Sequence, residues 1–378
     1  MLFERARHER LRDDAWDPAR VRAAIDAIIR DTHARYDPRA WWPTHPLDVE
    51  PGDADVPSTS LYFGAAGVIW ALRELGAPID ADLNALLEDS RTWLRANGFE
   101  HDSGSYLMGD TGIELLADDH ARLAELIAAN REHPARELMW GSPGTMLAAL
   151  FLHERTGQER WAELFRATAT TLWSQLEREP LPHWTQDMYG RRFTFLDSVH
   201  GFTATASVLI RGRALLEDWP AWEHVIDETV TRTAVREGAH ANWPPEVSGS
   251  KTLIVQFCHG APGFVICLGD LPGHDLDELL IAAGETTWAA GPVTKGPGLC
   301  HGTAGNGYAF LRLHTRTGDE LWLERARAFA MHAIAQSDDA AERQGHRRHS
   351  LWTGDLGVAI YLRACIDVDA RFPTLDMF

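Results

Sequence analysis

The sequence predicts an all-α fold, a double α/α toroid of seven inner and seven outer helices. Two observations predict this fold: a glycine motif that occurs seven times, and the alternation of apolar with amphipathic segments between its copies. The motif is G-x-x-G, and an apolar run follows each copy. The fourth copy is degenerate, because Ala204 replaces its second glycine. The first glycines of the seven copies are Gly64, Gly109, Gly141, Gly201, Gly260, Gly302 and Gly354.

The spacing of the copies leaves room for a helix, a turn and a second helix in each repeat. Successive first glycines lie 32 to 60 residues apart. The apolar run after each copy is typical of a buried inner helix, whereas a segment such as DADLNALLEDSRTWLRANG, residues 80–98, has the charged face of an outer helix. Closing seven helix pairs into a ring would gather the G-x-x-G turns at one end. An open helical solenoid with glycine-marked turns is the alternative.

We expect one domain over residues 1–378. Residues 1–60 carry no copy of the motif, and we interpret them as a lead-in that contains the first outer helix. The amphipathic stretch VRAAIDAIIRDTHARY, residues 21–36, predicts that helix.

The composition argues against several classes of partner. A formal net charge of −19 and a pI of about 5.3 repel phosphate backbones and anionic lipids, so we expect no nucleic-acid or membrane-surface binding. We expect no membrane span, because no apolar run reaches about eighteen residues, and the charged N-terminus lacks the apolar region of a signal peptide. Four cysteines in so long a chain do not make a disulfide framework. These features together predict a soluble, reduced, cytoplasmic protein.

If the turns converge, the side chains just before them converge too. Two of the four cysteines, Cys258 and Cys300, occupy a duplicated C-H-G-x-x-G motif. Two thiolates and an imidazole suit Zn²⁺ and leave its fourth tetrahedral position open, as in catalytic zinc sites. The alternative is that these cysteines are small buried hydrophobic residues. That is the interpretation we give to Cys267 and Cys365, which lie inside apolar runs.

Three segments resemble the lanthionine cyclases of the LanC type, and more closely the LanC-like branch known in eukaryotes. These segments are FCHGAPG, KGPGLCHGTAGNGYAFL and SLWTGDLGVAIYLRACIDVDARFPTLD, and the resemblance runs from about Gly64 to the end. It implies a double α/α barrel and one zinc ion. Matched by motif, the zinc ligands are Cys258, Cys300 and His301, with the fourth position open to a substrate thiol.

The resemblance also implies the chemistry, a Michael-type addition of a thiol to dehydroalanine or dehydrobutyrine. Zinc stabilises the attacking thiolate, and an acid then protonates the α-carbon. His200, in SVHG, matches the family's catalytic histidine. A histidine that only hydrogen-bonds the turn is the alternative for this position.

Two residues depart from the bacterial cyclases and a third matches the LanC-like branch, so all three point to that branch. Glu137 replaces an aspartate, His259 replaces a tyrosine, and Lys295 matches a lysine linked to glutathione addition in that branch. We expect His259 to be a second proton donor or to orient a neighbour. Lys295 could hold a carboxylate or favour a thiolate, or be a solvated loop residue. The basic loop RQGHRRHS, residues 343–350, is predicted to be solvated, with contact to an acidic leader peptide as the alternative.

The resemblance leaves two kinds of substrate open. One is a dehydrated ribosomal peptide that is cyclised to lanthionine rings, and the other is glutathione, added to dehydrated residues in proteins. Two other classes of function stay in consideration. A non-catalytic zinc-stabilised module would bind peptides or thiols, and an α/α-toroid glycosidase would use paired carboxylates, although it leaves both C-H-G motifs unexplained.

Overall fold

The computed structural model describes residues 2–49, 54, 56–247 and 252–378. These residues form fourteen α-helices, and every even-numbered helix begins at one of the seven G-x-x-G turns. The helices are α1 (Pro18–Ala34), α2 (Ala65–Glu74), α3 (Leu83–Ala96), α4 (Asp110–Ala117), α5 (His120–Asn130), α6 (Ser142–Thr156), α7 (Glu159–Ser174), α8 (Phe202–Arg211), α9 (Trp219–Thr233), α10 (Ala261–Leu268), α11 (Asp277–Ala290), α12 (Thr303–Thr317), α13 (Glu320–Gln344) and α14 (Asp355–Asp367).

Two short antiparallel hairpins interrupt this alternation. β1 (Gln186–Met188) pairs with β2 (Arg191–Phe193) between α7 and α8. β3 (Val235–Glu237) pairs with β4 (His240–Asn242) between α9 and α10. The hairpins precede the fourth and fifth turns, which carry His200, Cys258 and His259.

The helices form two layers that differ in burial. In the inner helix α6 every side chain from Ser142 to Leu152 is buried, and all eight residues of α10 are buried. An outer helix such as α3 buries only one face, formed by Leu86, Leu87, Ser90, Trp93 and Leu94. A helix that is apolar all round needs neighbours on every side, which the second layer supplies.

Contacts between the inner helices close the ring. Each inner helix contacts the next one, and the last, α14, contacts the first, α2. The outer helix α1 packs against α14 and α13, so the N-terminal lead-in adds an outer helix beside the last inner one. The predicted double α/α toroid is therefore confirmed, and the open solenoid is wrong.

A ring of backbone hydrogen bonds joins the seven turns to one another. In each turn an N–H two or three residues before the first glycine donates to a carbonyl two residues before the next turn's first glycine. The seventh turn donates back to the first, which fixes how neighbouring turns are aligned. The bonds run from Tyr62 to Leu107 (3.0 Å), Leu107 to Met139 (3.2 Å), Leu138 to Val199 (3.1 Å), Ser198 to Cys258 (3.4 Å), Cys258 to Cys300 (3.1 Å), Cys300 to Trp352 (2.8 Å) and Trp352 to Tyr62 (3.0 Å).

The second glycine of the motif lets each inner helix approach its own turn. A Cβ added at Gly305 would lie 1.7 Å from the carbonyl oxygen of Leu299, six residues earlier. The same Cβ at Gly144 would lie 2.1 Å from the carbonyl oxygen of Leu138. These distances leave no space for a side chain, so the G-x-x-G spacing follows from backbone packing.

We expect Gly305→Ala to lower the free energy of unfolding. Alanine favours a helix interior by about 1 kcal/mol over glycine, but the clash with the Leu299 carbonyl costs about 1–3 kcal/mol or more. Urea unfolding measures the net change. Gly104→Ala is the control, because its Cβ would meet nothing closer than 3.6 Å. A Gly305→Ala protein as stable as the wild type would contradict this account of the motif.

Candidate metal centre and active site

The candidate site lies where the turns of the third to sixth repeats meet. Positions are counted back from the first glycine of each turn, so that Cys258 and Cys300 both occupy position −2 and adjoin through the backbone ring. The N-termini of the inner helices begin at these same turns. Their partial positive charge favours anions such as thiolates at this end of the toroid.

Cys258, Cys300 and His301 form a compact group of metal-ligating atoms. Their two sulfurs and one imidazole nitrogen lie within 4.8 Å of one another. The Sγ atom of Cys258 is 3.2 Å from Nδ1 of His301. Both cysteines are buried, and His301 is partly exposed. Over the described ranges, this is the one group of His, Cys, Asp or Glu side chains compact enough to hold a metal ion.

The donor set of this group fits zinc. Zinc–sulfur bonds of about 2.3 Å place two tetrahedral thiolate ligands about 3.8 Å apart. This separation is compatible with ligating atoms that all lie within 4.8 Å of one another. Cys267 and Cys365 behave differently: each lies inside an inner helix, where burial raises the pKa of its thiol to about 12. They match the buried-hydrophobe interpretation, whereas Cys258 and Cys300 lie together with a third metal-ligating side chain, His301.

The two paired thiols differ in acidity. Burial raises the pKa of Cys300, but the hydrogen bond from Cys258 and the charge of His301 outweigh burial and lower it well below the usual range. The pKa of Cys258 is raised, first by that hydrogen bond and then by burial. Tyr62, at position −2 of the first repeat, also lowers the pKa of Cys300. The lowered pKa favours the thiolate of Cys300, which is the form in which a cysteine binds a metal ion.

His200 pairs with Glu137 across the third and fourth repeats. Nδ1 of His200 donates to Oε2 of Glu137 at 2.8 Å, and the carboxylate is fully buried. The same carboxylate accepts the backbone N–H groups of Met139, Trp140 and Gly141, which fixes its position. Burial opposes protonation, yet the hydrogen bond and charge of Glu137 raise the pKa of His200 to about 9.

A second carboxylate–imidazole pair lies one repeat further along. Oδ2 of Asp197 is 3.2 Å from Nδ1 of His259, and Asp197 is fully buried. Asp197 and Glu137 both occupy position −4 of their turns, and His259 and His200 both occupy position −1. The sequence analysis missed Asp197, although its register relative to the glycine motif, shared with Glu137, could have found it.

The backbone of the fifth turn differs from the other six. Gly260 has φ of +104°, in the region that favours glycine, whereas the first glycines of the other turns have negative φ. Gln256 and His259 exchange both backbone hydrogen bonds just before it, each at 3.0 Å. This tight turn sets the position of His259 next to Cys258.

An aromatic wall flanks both histidines. The ring of Phe195 lies 6.3 Å from that of His200 and 6.1 Å from that of His259. Phe193 stacks on Phe195 at 4.6 Å, which continues the wall onto the β1–β2 hairpin. An apolar wall beside two imidazoles limits access of water to the space between them.

Lys295 lies at a cavity that reaches the metal-ligating group. The cavity has a volume of about 350 Å³, and His301 forms part of its wall. Lys295 is solvent-exposed, and Arg343, from the end of α13, lines the same cavity. The complete lining is Glu9, His45, Leu47, Thr294, Lys295, Gly296, Pro297, Gly298, His301, Gly302, Gln336, Ala340, Ala341, Arg343, Gln344, His346, Arg348, Thr353, Gly354 and Asp355.

The basic loop 343–350 is held in place more firmly than predicted. Arg348 forms an ion pair with Asp48, with Nε 2.8 Å from Oδ2. His349 is buried, and its Nε2 lies 2.9 Å from Oδ2 of Asp31. The prediction of a solvated loop is therefore wrong for its C-terminal half, because acidic partners from the N-terminal segment neutralise it.

The chain matches the family described as "Lanthionine synthetase C-like protein" over residues 44–377, and it belongs to that family. The resemblance inferred from its motifs is thus confirmed. LanC-like protein GCL1 of Arabidopsis thaliana is 29% identical over 311 residues, which cover 76% of this chain and 70% of that protein.

A second relative and one solved structure carry the names of enzymes. "Glutathione S-transferase LANCL1" of Danio rerio is 25% identical over 258 residues, covering 64% of this chain and 62% of that protein. The structure of "Nisin cyclase" matches with a TM-score of 0.59 and 14% identity, covering 91% of this chain and 94% of that chain. This structural likeness supports the fold, the all-α toroid.

A search of the helices for membrane spans, limited to the described part of the chain, finds none with the length and apolar character needed to cross a bilayer.

We expect the purified protein to contain about one zinc ion per chain, and Cys258→Ala and Cys300→Ala to lose it. Each substitution removes one of three protein ligands, which weakens metal binding severely. Plasma emission spectroscopy of dialysed protein measures the content. Cys267→Ala and Cys365→Ala are the matched controls and should retain the metal. Equal zinc content in all four variants would contradict the assignment of the site.

We expect the pKa of His200, measured by NMR titration, to lie near 9 and to fall by about 1–3 pH units in Glu137→Gln, because the carboxylate charge is removed. Since the folded-state pKa is raised, this pair contributes stability that is present below pH about 6.5 and is lost as the pH rises through about 9. Glu154→Gln, which removes a carboxylate paired with Arg211, is the control. An unchanged titration in Glu137→Gln would contradict the pairing.

Proposed function

We propose that this protein catalyses the zinc-dependent addition of a thiol to dehydroalanine or dehydrobutyrine, forming a thioether. The observation that carries the proposal is the meeting of a Cys–Cys–His ligand set with a carboxylate-paired histidine at one end of a closed toroid. We propose glutathione as the thiol donor and a dehydrated protein or peptide as the acceptor. Cyclisation of a dehydrated ribosomal peptide is the second form of the same chemistry.

Cys258, Cys300 and His301 are the proposed metal ligands. A zinc ion held there would stabilise a substrate thiol as its thiolate near neutral pH. Tyr62 lowers the pKa of Cys300 and so favours its charged form from outside the metal site.

His200 is the proposed acid. The addition leaves negative charge on the α-carbon and its carbonyl group, and a proton must reach the α-carbon to complete the thioether. Glu137 accepts from Nδ1, so the proton on Nε2 is the one that faces a substrate. Because its pKa is raised to about 9, the ring holds that proton at neutral pH.

Lys295 is the proposed anchor for the thiol donor. Glutathione is a small peptide with two carboxylates, and the cavity of about 350 Å³ beside His301 has Lys295 and Arg343 on its wall. A cation–carboxylate contact there would leave the thiol end pointing toward the metal ligands. The name of the relative from Danio rerio is consistent with this donor.

The non-catalytic binding module is the competing class. It would keep the zinc ion and bind thiols or peptides, and the pair of Glu137 and His200 would then serve only to hold the turns. Mass spectrometry of a dehydroalanine peptide incubated with glutathione and the protein separates the two classes. The enzyme gives an adduct that is heavier than the peptide by the mass of glutathione, about 307 Da. A binding module gives no adduct above the uncatalysed rate.

We expect Lys295→Ala to raise the KM for glutathione about 10- to 100-fold, because a charged hydrogen bond of about 1.5–3 kcal/mol is lost. The same variant should leave the KM for 2-mercaptoethanol unchanged, since that thiol has no carboxylate to hold. Steady-state rates with the two thiols make the comparison. An equal effect on both thiols would show that Lys295 does not bind the glutathione carboxylates.

A further inference from the structure

Asp197 has a bonding pattern that a purely structural role does not explain. Its Oδ1 accepts the backbone N–H groups of Val199 at 2.9 Å and His200 at 2.6 Å, and so caps the fourth turn. Its Oδ2 is buried and has no hydrogen bond of acceptable geometry within the described residues. A buried polar atom without such a partner is uncommon, and a catalytic role is one of the explanations for it.

That oxygen lies against Nδ1 of His259. The two lie 3.2 Å apart, as an ion-pair contact rather than an aligned hydrogen bond. Asp197 is fully buried and His259 is 27% exposed, so the carboxylate holds the ring from inside. The other ring nitrogen, Nε2, points away from the carboxylate.

The register of the repeats places this pair beside the first one. Glu137 and Asp197 share position −4, while His200 and His259 share position −1. The rings of both histidines lie near Phe195, at 6.3 and 6.1 Å. Both imidazoles therefore border the same aromatic ring.

We propose that Asp197 is a positioning residue for His259, and that His259, so held, donates a hydrogen bond to the carbonyl oxygen of the dehydroamino acid. This inference rests on the proposed thiol addition and divides it between two histidines. His200, which has the aligned hydrogen bond to Glu137, transfers the proton to the α-carbon. His259, held by charge, is the fixed donor to the oxygen.

Each histidine has its own role in the proposed reaction. The thiolate sulfur forms a bond to Cβ, the π electrons of the Cα–Cβ double bond move toward the carbonyl group, and negative charge collects on its oxygen. A preorganised donor aimed at that oxygen stabilises the charge. The proton of His200 then bonds to Cα as the carbonyl is restored, and His200 regains a proton from solvent. The thiol's own proton leaves to solvent when the thiolate forms.

Asp197→Asn and Asp197→Glu test the inference in the zinc-containing protein. Asparagine keeps the oxygen that caps the turn but replaces the charge that faces His259. We expect kcat for adduct formation from glutathione and a dehydroalanine peptide to fall about 10- to 100-fold. We expect KM, zinc content and the thermal midpoint to stay close to wild type. Asp197→Glu should recover much of kcat, because Glu137 shows that glutamate fits position −4.

Two further readouts identify the path of the effect. If Asp197 acts through His259, then adding Asp197→Asn to His259→Gln should lower kcat by no more than about twofold. The ratio of α-carbon epimers in the product should be unchanged in His259→Gln and in the double variant, since His200 still delivers the proton. His200→Gln should alter that ratio. Asp187→Asn, an exposed position on β1, is the matched control and should leave all values unchanged.

The outcomes separate this inference from the proposed function. A wild-type protein that forms no adduct overturns both. If the wild type is active but the kcat of Asp197→Asn is within twofold of the wild-type value, this inference alone is overturned. It is also overturned if the losses of kcat in the two single variants multiply fully in the double variant. Equal loss in Asp197→Asn and Asp197→Glu together with a lower thermal midpoint shows that Asp197 only caps the turn, which also overturns it.

Discussion

The ring of seven backbone hydrogen bonds between the turns is the constraint on which the rest of the structure depends. It joins each repeat to the next and the seventh to the first, from Trp352 to Tyr62. Because these bonds fix the alignment of neighbouring turns, a side chain at position −4 of one repeat adjoins position −1 of the next. Both carboxylate–imidazole pairs follow that rule, and a bond of the ring itself joins Cys258 to Cys300, which both occupy position −2.

The glycine motif and the inner helices make this alignment possible and set its electrostatics. In the six copies that have a second glycine, it allows the helix to approach the carbonyl six residues earlier, so these turns are tight. Seven helix N-termini then face one end of a protein whose formal net charge is −19. The local field at the turns is favourable for thiolates and carboxylates, while the acidic surface elsewhere is not. Buried Glu137 and Asp197 are held by backbone N–H groups at their own turns.

Most of the architecture could be predicted from the sequence, because a repeat of glycines and apolar runs reflects backbone packing directly. The layers, the ring closure and the grouping of Cys258, Cys300 and His301 belong to this part. Contacts that depend on a neighbouring repeat or a distant segment were harder to predict. Asp197 was missed because it precedes its histidine partner by a whole repeat. The loop at 343–350 was misjudged because its acidic partners, Asp48 and Asp31, lie about three hundred residues earlier.

The central claim is that the two cysteines and His301 hold a metal ion with one position left for a substrate thiol. X-ray absorption at the zinc edge of the purified protein, with and without glutathione, tests it most directly. Without glutathione, the account predicts a zinc coordination shell of two sulfurs, one imidazole nitrogen and one lighter atom; with glutathione, it predicts three sulfurs. A coordination shell that keeps two sulfurs in both conditions, or that is already filled by four protein ligands, would contradict it.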